Sequence, residues 1–244
     1  MFKELKYLFF ILFIILTIFL AVDYYFSDNN KKKSYRSVQE INEMIISYSE
    51  KLILLNNDTD NVVKYIENKT FIEFGVENYE ESNTKFLLLN KNWHGFIMDS
   101  STNNINYIKN SELYWKHSLT AVTSFVNKEN INDLLKLSKF DKKIGLLSID
   151  IDGNDYWVWQ GIDTMEPSIV IIEYNSRLGI EKSYVVPYEK NFERKKANYS
   201  MIYYGASLQA LADLGNKKGY KFICCNKAGN NAFFVKKDLI YFLF

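Results

Sequence analysis

Short runs of apolar residues alternate with stretches of helical spacing through most of this chain. The apolar runs predict buried strands, because a strand covered on both faces shows no polar alternation. They lie at residues 70–76, 95–98, 119–126, 144–151 and 168–174. The helical patterns lie at residues 82–90, 104–109, 130–137, 156–161 and 207–215. This alternation predicts a parallel sheet with helices on both faces.

The last two apolar runs, residues 220–225 and 232–235, are separated only by the loop at residues 226–231. Parallel neighbours need a long crossover, so these two strands are expected to pair antiparallel. A mostly parallel α/β sheet that ends in an antiparallel hairpin is typical of the class I methyltransferase-like (Rossmann-like) fold. It fits a plain dinucleotide-binding Rossmann fold less well.

The amino-terminal segment is the most apolar part of the chain. Every residue from 7 to 22 is apolar except Thr17, and aromatic residues continue to position 26. A stretch of about 20 such residues is long enough to span a bilayer, and terminal tyrosines suit its interface. We therefore expect one transmembrane helix at residues 7–26. The alternative is a secretory signal peptide, but no small-residue cleavage site follows Val22.

Basic residues favour one orientation of this anchor. Residues 31–33 are all lysine and Arg36 follows, whereas only Lys3 and Lys6 precede the apolar segment. The positive-inside rule then places the domain that follows in the cytoplasm, as a single-pass membrane protein. The adjacent cysteines at 224–225 have no distant partner and agree with a reducing compartment.

Composition and pattern together predict three parts. Residues 1–28 form the membrane anchor, residues 29–60 a polar linker and an amphipathic helix, and residues 61–244 the α/β domain. The net charge of +1 gives no basic field that would indicate a nucleic-acid partner. Two histidines and two adjacent cysteines give no zinc pattern.

Acidic side chains stand where the predicted strands end. They are Glu73, Asp99, Asp150, Asp152 and Glu173. Ligands of open α/β sheets bind beyond the carboxyl ends of the strands, and a buried carboxylate is costly unless it is paired or bound. We therefore expect these acids to meet around one ligand, although each alone could be a structural hydrogen-bonding group.

Asp99 has the most readable role. An acid at the end of the second strand, about 20 residues after the glycine turn, commonly accepts hydrogen bonds from ribose hydroxyls, and the spacing from Gly75 to Asp99 fits. The turn itself, GVENYEES, holds one glycine where a dinucleotide site would have three. A ligand with a ribose but no phosphate, such as S-adenosylmethionine, suits such a turn better.

Three blocks carry a family resemblance: FIEFGVENYEESNTKFLLLNKNWHGFIMDSS, LLSIDIDGNDYWVW and IVIIEYNS. Over residues 71–238 the chain resembles the FkbM-type S-adenosylmethionine-dependent methyltransferases, in particular a bacterial subgroup with the SIDIDGNDYWVW block. The resemblance implies a seven-stranded sheet, a methyl donor and methylation of a sugar or polyketide hydroxyl. It also implies a set of cofactor-binding residues: Glu73, Gly75, Asp99, Ser100, Ser124, Phe125 and Asp150.

The stretch SIDIDGNDYWVW allows three interpretations. An EF-hand calcium loop fails on spacing, because Gly153 comes two residues early and Gly161 stands where the loop needs glutamate. A Mg²⁺ or Ca²⁺ site could form from Asp152, Glu173 and Asn175. Without a metal, a carboxylate of raised pKa would take the acceptor's proton as general base.

For that catalytic role the sequence favours Asp152, with Asp150 beside it, and His117 is a candidate for lining an acceptor pocket. The rings that follow, Tyr156, Trp157 and Trp159, either pack on the sheet or form a platform for a ligand.

The predicted function is O-methylation of a hydroxyl on a membrane-associated glycan or a related acceptor. The alternative is a catalytically degenerate domain of the same fold that binds a glycan or a protein. Tyr79, which replaces a glycine common in the first motif of these enzymes, favours the alternative, and the strand-end acids oppose it.

Overall fold

A computed structural model describes residues 66–239 of the chain. The predicted membrane anchor at residues 1–28 and the linker with its amphipathic helix at 29–60 lie outside these residues. Within residues 66–239, no helix has both the length and the apolar character needed to cross a bilayer.

Seven strands form a single sheet in the described part of the chain. They are β1 (Thr70–Phe74), β2 (His94–Asp99), β3 (Leu119–Thr123), β4 (Lys143–Ile149), β5 (Glu166–Glu173), β6 (Tyr220–Cys225) and β7 (Asn231–Lys236). Their order across the sheet is β3-β2-β1-β4-β5-β7-β6. Each predicted apolar run is therefore a strand, and its bounds move by a few residues at most.

Helices connect most of the strands. They are α1 (Lys85–Lys91), α2 (Thr102–Lys109), α3 (Glu112–Lys116), α4 (Ile131–Lys136), α5 (Asp155–Gly161), α6 (Arg194–Ala197) and α7 (Leu208–Lys217), with a 3₁₀ turn at Ser176–Leu178. The sequence pattern did not reveal α3 and α6. Both are too short to show a helical repeat of apolar positions.

The first five strands run parallel, and β7 runs antiparallel to both β5 and β6. The expected methyltransferase-like sheet with a C-terminal antiparallel hairpin is thus confirmed. The hairpin also extends the sheet, because β7 inserts between β5 and β6.

Two apolar layers cover the two faces of the sheet. On one face Phe74 and Met98 pack with Trp159 of α5 and Leu211 of α7. On the other face the strand residues pack with Leu88 of α1 and with Ile105 and Ile108 of α2. Successive strand residues point to opposite faces, so each buried strand contributes to both layers.

The strand order reverses direction between β1 and β4, since β2 and β3 lie on one side and β5 on the other. At such a switch point the connections leave in opposite directions and open a crevice beyond the carboxyl ends of the strands. The acids predicted to meet around a ligand follow the strands at this edge.

Candidate functional site

A cavity of about 460 Å³ lies at this edge of the sheet. Its wall is made by the turn after β1, by the ends of β2 and β4, by the segment after β3 and by the start of β7. Residues predicted from sequence line it together: Glu73, Gly75, Asp99, Ser100, Ser124, Phe125, Asp150 and Asp152. Side chains far apart in the sequence therefore share one hollow, and their roles toward a ligand stay predictions.

Gly75 brings the β1 turn close to the end of β4. Its backbone is left-handed, with φ of +71°, and its amide N–H donates to the Met98 carbonyl over 2.9 Å. A Cβ at this position would lie 1.6 Å from the carbonyl oxygen of Asp150. Only glycine accommodates both the conformation and the contact.

Tyr79 does not fill the cavity. Its backbone is left-handed, with φ of +66°, which is the conformation that a glycine would adopt without strain. The side chain is only 2% exposed and packs in the apolar layer beside α1, where its hydroxyl lies 2.9 Å from the Thr84 hydroxyl. Packing of the ring and this hydrogen bond stabilise the turn after β1, and the side chain leaves the cavity open.

Glu73 fastens the start of α1 to the sheet. Its carboxylate accepts hydrogen bonds from the Asn83 amide at 2.9 Å, the Thr84 hydroxyl at 2.5 Å and the Ser148 hydroxyl at 3.3 Å. Burial raises the pKa of Glu73, and these hydrogen bonds oppose the rise. Glu73 therefore has a structural role at the start of α1, and because it also borders the cavity its contact with the cofactor stays a prediction.

Asp99 orders the two segments that face it. Its Oδ2 accepts from the Glu77 amide at 2.9 Å, and its Oδ1 accepts from the Ser101 amide at 2.8 Å and from Asn104 Nδ2 at 3.1 Å. A carboxylate can accept about four hydrogen bonds, so one position remains for a ligand hydroxyl. This geometry suits the predicted contact with a ribose.

Asp155 shapes the turn after β4 rather than the cavity. Its carboxylate accepts from the Ile151 amide at 2.8 Å and from the Gly153 amide at 2.9 Å, and the residue is buried. Within this turn Asp152 takes a left-handed conformation, with φ of +58°. The turn points Asp152 outward, and its side chain is 64% exposed.

Asp150 lines the cavity at the end of β4, and its carboxylate lacks hydrogen-bond donors. No described residue donates a hydrogen bond to its carboxylate. Desolvation raises its pKa from 3.8 to about 8, and the negative charges of Asp155, Asp152, Glu73 and Glu77 add to the rise. The ionised form of Asp150 is therefore costly in the cavity, and either a proton or a cationic ligand would remove that cost.

This shift predicts that the unfolding free energy falls as pH rises. In the folded chain Asp150 stays protonated well above pH 4, whereas in the unfolded chain it ionises near 3.8. Its contribution is fully present below the unfolded pKa and is lost as pH rises through about 8. Chemical denaturation between pH 5 and pH 8 measures the slope, which Asp150→Asn should flatten. An unchanged slope in that variant would contradict the assignment.

A long segment that we call the strap, residues 174–207 between β5 and α7, covers the turn after β4. The Phe192 ring lies against Gly153, where a Cβ would meet ring carbons at 2.2 Å. Asn154 Nδ2 donates to the Glu189 carbonyl at 2.8 Å, and the Gly205 amide donates to the Gly153 carbonyl at 3.1 Å. The strap thus forms one side of the cavity mouth.

Arg194 of the strap is a site residue that the sequence did not single out. Its Nη1 lies 2.7 Å from Asp152 Oδ1 and 3.8 Å from Glu173 Oε1. Its Nε donates to the Met201 carbonyl at 2.8 Å, and the guanidinium lies 3.6 Å from the centroid of the Tyr204 ring. The only signal for such a residue in the sequence was the number of clustered acids, because buried carboxylates need a neighbouring cation.

A family model described as "Methyltransferase FkbM domain" matches residues 29–222 of the chain. The chain belongs to this family. The predicted FkbM-type identity is thereby confirmed, and the domain is a S-adenosylmethionine-dependent methyltransferase domain. Among curated proteins none matches the sequence.

Solved methyltransferase structures show distant similarity to the FkbM domain. The bifunctional kinase-methyltransferase WbdD is 11% identical, with a TM-score of 0.45 over 77% of this chain and 39% of that chain. An O-methyltransferase family protein from Burkholderia thailandensis is 8% identical, with a TM-score of 0.47 over 81% and 58%. The O-methyltransferase from Bacillus cereus is 13% identical, with a TM-score of 0.43 over 88% and 97%. The chain thus spans well under half of WbdD.

The predicted metal ligands of the FkbM domain do not fit a metal. Arg194 already neutralises Asp152 and approaches Glu173. Asn175 donates its Nδ2 to the carbonyls of Ile202 and Tyr204, at 2.8 and 3.0 Å, and its Oδ1 accepts from the Arg177 amide. Residues 66–239 contain no group of three or more His, Cys, Asp or Glu that could hold a metal ion.

Donor binding to the FkbM domain is therefore expected to survive removal of divalent cations. Calorimetric titration with S-adenosylmethionine should give the same dissociation constant with and without EDTA. A loss of affinity in EDTA that Mg²⁺ restores would contradict this expectation.

His117 lies away from the cavity of the FkbM domain. It ends α3, where its amide donates to the Leu113 carbonyl, and it immediately precedes the amino end of β3. The cavity lies at the carboxyl ends of the strands, so His117 stands at the opposite edge of the sheet and is not among the lining residues. The expectation that it lines the acceptor pocket is not supported.

The rings of SIDIDGNDYWVW pack rather than face the cavity. Trp159 is buried, with its centroid 4.9 Å from that of Phe234, and belongs to the core. Trp157 Nε1 donates to the Val186 carbonyl at 2.9 Å and so fixes the strap. Of the predicted aromatic contacts, Phe125 is the one that lines the cavity.

Proposed function

We propose that this FkbM domain transfers a methyl group from S-adenosylmethionine to a hydroxyl of a glycan or a related acceptor, with Asp150 as the general base. The observation that carries the proposal is the state of the Asp150 carboxylate. It borders the cavity, it accepts no hydrogen bond from a described residue, and its pKa is raised toward neutrality. A base with such a pKa is suited to removing a proton near physiological pH.

Asp150 replaces Asp152 as the preferred base for physical reasons. The Asp152 side chain is largely exposed and forms an ion pair with Arg194. An arginine partner stabilises the carboxylate and makes it a weaker base. Side chains alternate along a strand, so Asp150 and Asp152 were expected to point to the same side. The left-handed backbone of Asp152 breaks this alternation, and its side chain points toward Arg194 of the strap.

The cavity wall offers a place for each part of the donor. Asp99 would accept a hydrogen bond from the ribose, with Ser100 beside it, and Ser124 and Phe125 would border the adenine. The open turn at Gly75 would face the methionine part. When bound, S-adenosylmethionine supplies an electrophilic methyl group. Asp150 would take the hydroxyl proton as the acceptor oxygen bonds to that methyl, and the strap would keep water from the mouth of the site.

The acceptor and the location are proposed from the sequence. The apolar segment at residues 7–22 supports a membrane anchor, and the basic residues after it support a catalytic domain on the cytoplasmic side. An anchored enzyme has ready access to acceptors made at the membrane, such as a lipid-linked glycan.

A degenerate domain that only binds a glycan or a protein is the alternative. Its main support was Tyr79, but the ring of Tyr79 packs in the core and leaves the cavity open. The enzymatic function is therefore the better supported of the two.

Methyl transfer tests this proposal. The full-length chain is incubated with donor labelled in its methyl group and with glycans extracted from membranes, and label in the glycan fraction is counted. We expect incorporation that depends on both the enzyme and the glycan. Donor binding without incorporation into any glycan would point to the degenerate alternative, and absence of donor binding would contradict both the donor site and the enzyme.

A further inference from the structure

We infer that the outer side of the strap docks on the surface of an anionic lipid bilayer, and that this contact brings the mouth of the cavity to the membrane. The inference deepens the proposed function, because it rests on the proposal that the acceptor belongs to the membrane. The contact is made by the described domain itself and does not require the predicted anchor at residues 7–26.

The strap exposes several large apolar side chains at residues 199–203, which we call the tip. Tyr199 is 98% exposed, and Met201, Ile202 and Tyr203 are between 40% and 46% exposed. Single exposed apolar residues are common on soluble domains and need no explanation. Four of them within five consecutive positions form a patch, and such patches mark contact surfaces.

The packing of the strap does not use the side chains of the tip. The strap has a small apolar core of its own, formed by Val186, Phe192 and Tyr204. Tyr204 follows the tip directly, and its buried ring lies against the Arg194 guanidinium. The apolar side chains of the tip are therefore available to a partner.

Hydrogen bonds to the backbone hold the tip in place. Asn175 Nδ2 donates to the carbonyls of Ile202 and Tyr204, and Arg194 Nε donates to the Met201 carbonyl. Met201 has a left-handed backbone, with φ of +55°, which is unfavourable for a residue with a side chain. The domain thus maintains the exposed tip in one conformation, and a preformed surface loses little conformational freedom when it binds.

The charge of the strap suits an anionic surface. The strap contains six basic and three acidic residues, whereas the whole chain has a net charge of only +1. Lys190, Lys195 and Lys196 are exposed and precede the tip. Lys196 pairs with Glu193, and both side chains remain largely exposed. Basic residues next to aromatic and aliphatic side chains are typical of segments that bind anionic lipids at the bilayer surface.

A bilayer explains the tip better than a glycan does. The Met201 and Ile202 side chains have no group that would donate a hydrogen bond to a sugar, but both can enter the boundary between headgroups and acyl chains. Tyr199 and Tyr203 each combine an apolar ring with a polar hydroxyl, which suits the headgroup level.

The position of the strap gives this contact a function. Phe192 of the strap lines the cavity, and Arg194 reaches Asp152, which lines it as well. A bilayer against the tip therefore lies beside the cavity mouth, and an acceptor carried by a lipid reaches the site without leaving the membrane. The predicted anchor permits this orientation, because residues 27–65, at up to about 3.3 Å per residue, can pass around the domain.

Hydrogen exchange of the full-length chain, measured by mass spectrometry, tests the inference. The chain is combined with vesicles of phosphatidylcholine alone or of phosphatidylcholine with phosphatidylglycerol. We expect the backbone amides of residues 195–206 to exchange several-fold more slowly with the anionic vesicles. The difference should shrink as salt increases, because salt screens the lysines from the lipid headgroups.

Two double variants separate the apolar contact from the charges. Tyr199→Ser with Ile202→Ser, and Lys190→Gln with Lys195→Gln, should each remove most of the difference. All four side chains are exposed, so both variants are expected to fold. Trp115→Ser is the matched control, because Trp115 is 71% exposed on α3, before the amino end of β3 and so at the opposite edge of the sheet. It should keep the difference.

Fast exchange of the tip with both kinds of vesicle would overturn the inference and leave donor binding unaffected. Slow exchange with both, or slow exchange that is lost when the protein is diluted, would also overturn it, because a protein contact or a second copy would then cover the tip. Slow exchange with anionic vesicles alone, without methyl transfer to membrane glycans, would contradict the proposed acceptor and leave the lipid contact intact.

Discussion

Gly75→Ala is expected to lower the unfolding free energy by more than about 3 kcal/mol and to abolish donor binding. The new Cβ would lie 1.6 Å from the Asp150 carbonyl oxygen, a backbone atom that cannot move without separating β1 from β4. The left-handed backbone at Gly75 adds about 1–2 kcal/mol for a residue with a side chain. Urea denaturation and titration with S-adenosylmethionine measure the two losses.

Gly219→Ala separates the two causes. Gly219 directly follows the last turn of α7 and also has a positive φ, +85°, but a Cβ there would meet nothing within 4 Å. This variant should therefore cost only the conformational penalty, about 1 kcal/mol, and keep donor affinity. Similar losses in both variants would show that the contact with Asp150 is unimportant.

Asp150→Asn is expected to reduce the rate of methyl transfer by about 100-fold to 10,000-fold, the range typical for loss of a general base. Asparagine keeps the shape of the side chain but cannot accept the hydroxyl proton. The unfolding free energy should not fall, because the change removes a partly buried acid that other acids surround. Transfer of labelled methyl groups to membrane-extracted glycans measures the rate, and denaturation at pH 8 measures the stability.

Asp152→Asn is the comparison that tells the two neighbouring acids apart. Its carboxylate is mostly exposed and paired with Arg194, so its loss should change the rate by less than about tenfold. A larger loss in this variant than in Asp150→Asn would restore Asp152 as the base.

The fold followed from the sequence because its determinants are local. Continuous apolar runs mark strands buried on both faces, and the short loop at residues 226–231 alone required the antiparallel hairpin. Four of the five strand-end acids line one cavity for the same reason, since parallel strands bring their carboxyl ends to one edge, whereas Glu173 is not among the lining residues. Asp99 and Asp150 line one cavity for this reason.

The sequence did not predict which side chains bind the strand-end acids, because those contacts join positions that are far apart in the chain. Arg194 reaches Asp152 across 42 residues, from a strap that has no periodic pattern of its own. Asn175 binds the carbonyls of Ile202 and Tyr204, so an apparent metal ligand fastens the strap instead. No local pattern distinguishes these two uses of an amide.

For His117, by contrast, the sequence alone contained enough information to reject a place in the acceptor pocket. It stands just before the apolar run that starts at Leu119, and so at the amino end of a strand. Strand direction alone places it at the edge away from the ligand. Tyr79 is different again: the choice between filling the cavity and filling the core required the packing around Thr84.

The strap leaves the sheet at the end of β5 and returns to it at the start of α7, so both of its junctions are fixed to rigid elements. It contacts the turn after β4, the start of α5 and the segment before α4, through Asn154, Trp157 and Glu129, whereas Asp99 is held by other residues. Insertions or deletions within the strap are therefore expected to reshape the mouth of the cavity and to leave the hydrogen bonds of Asp99 intact.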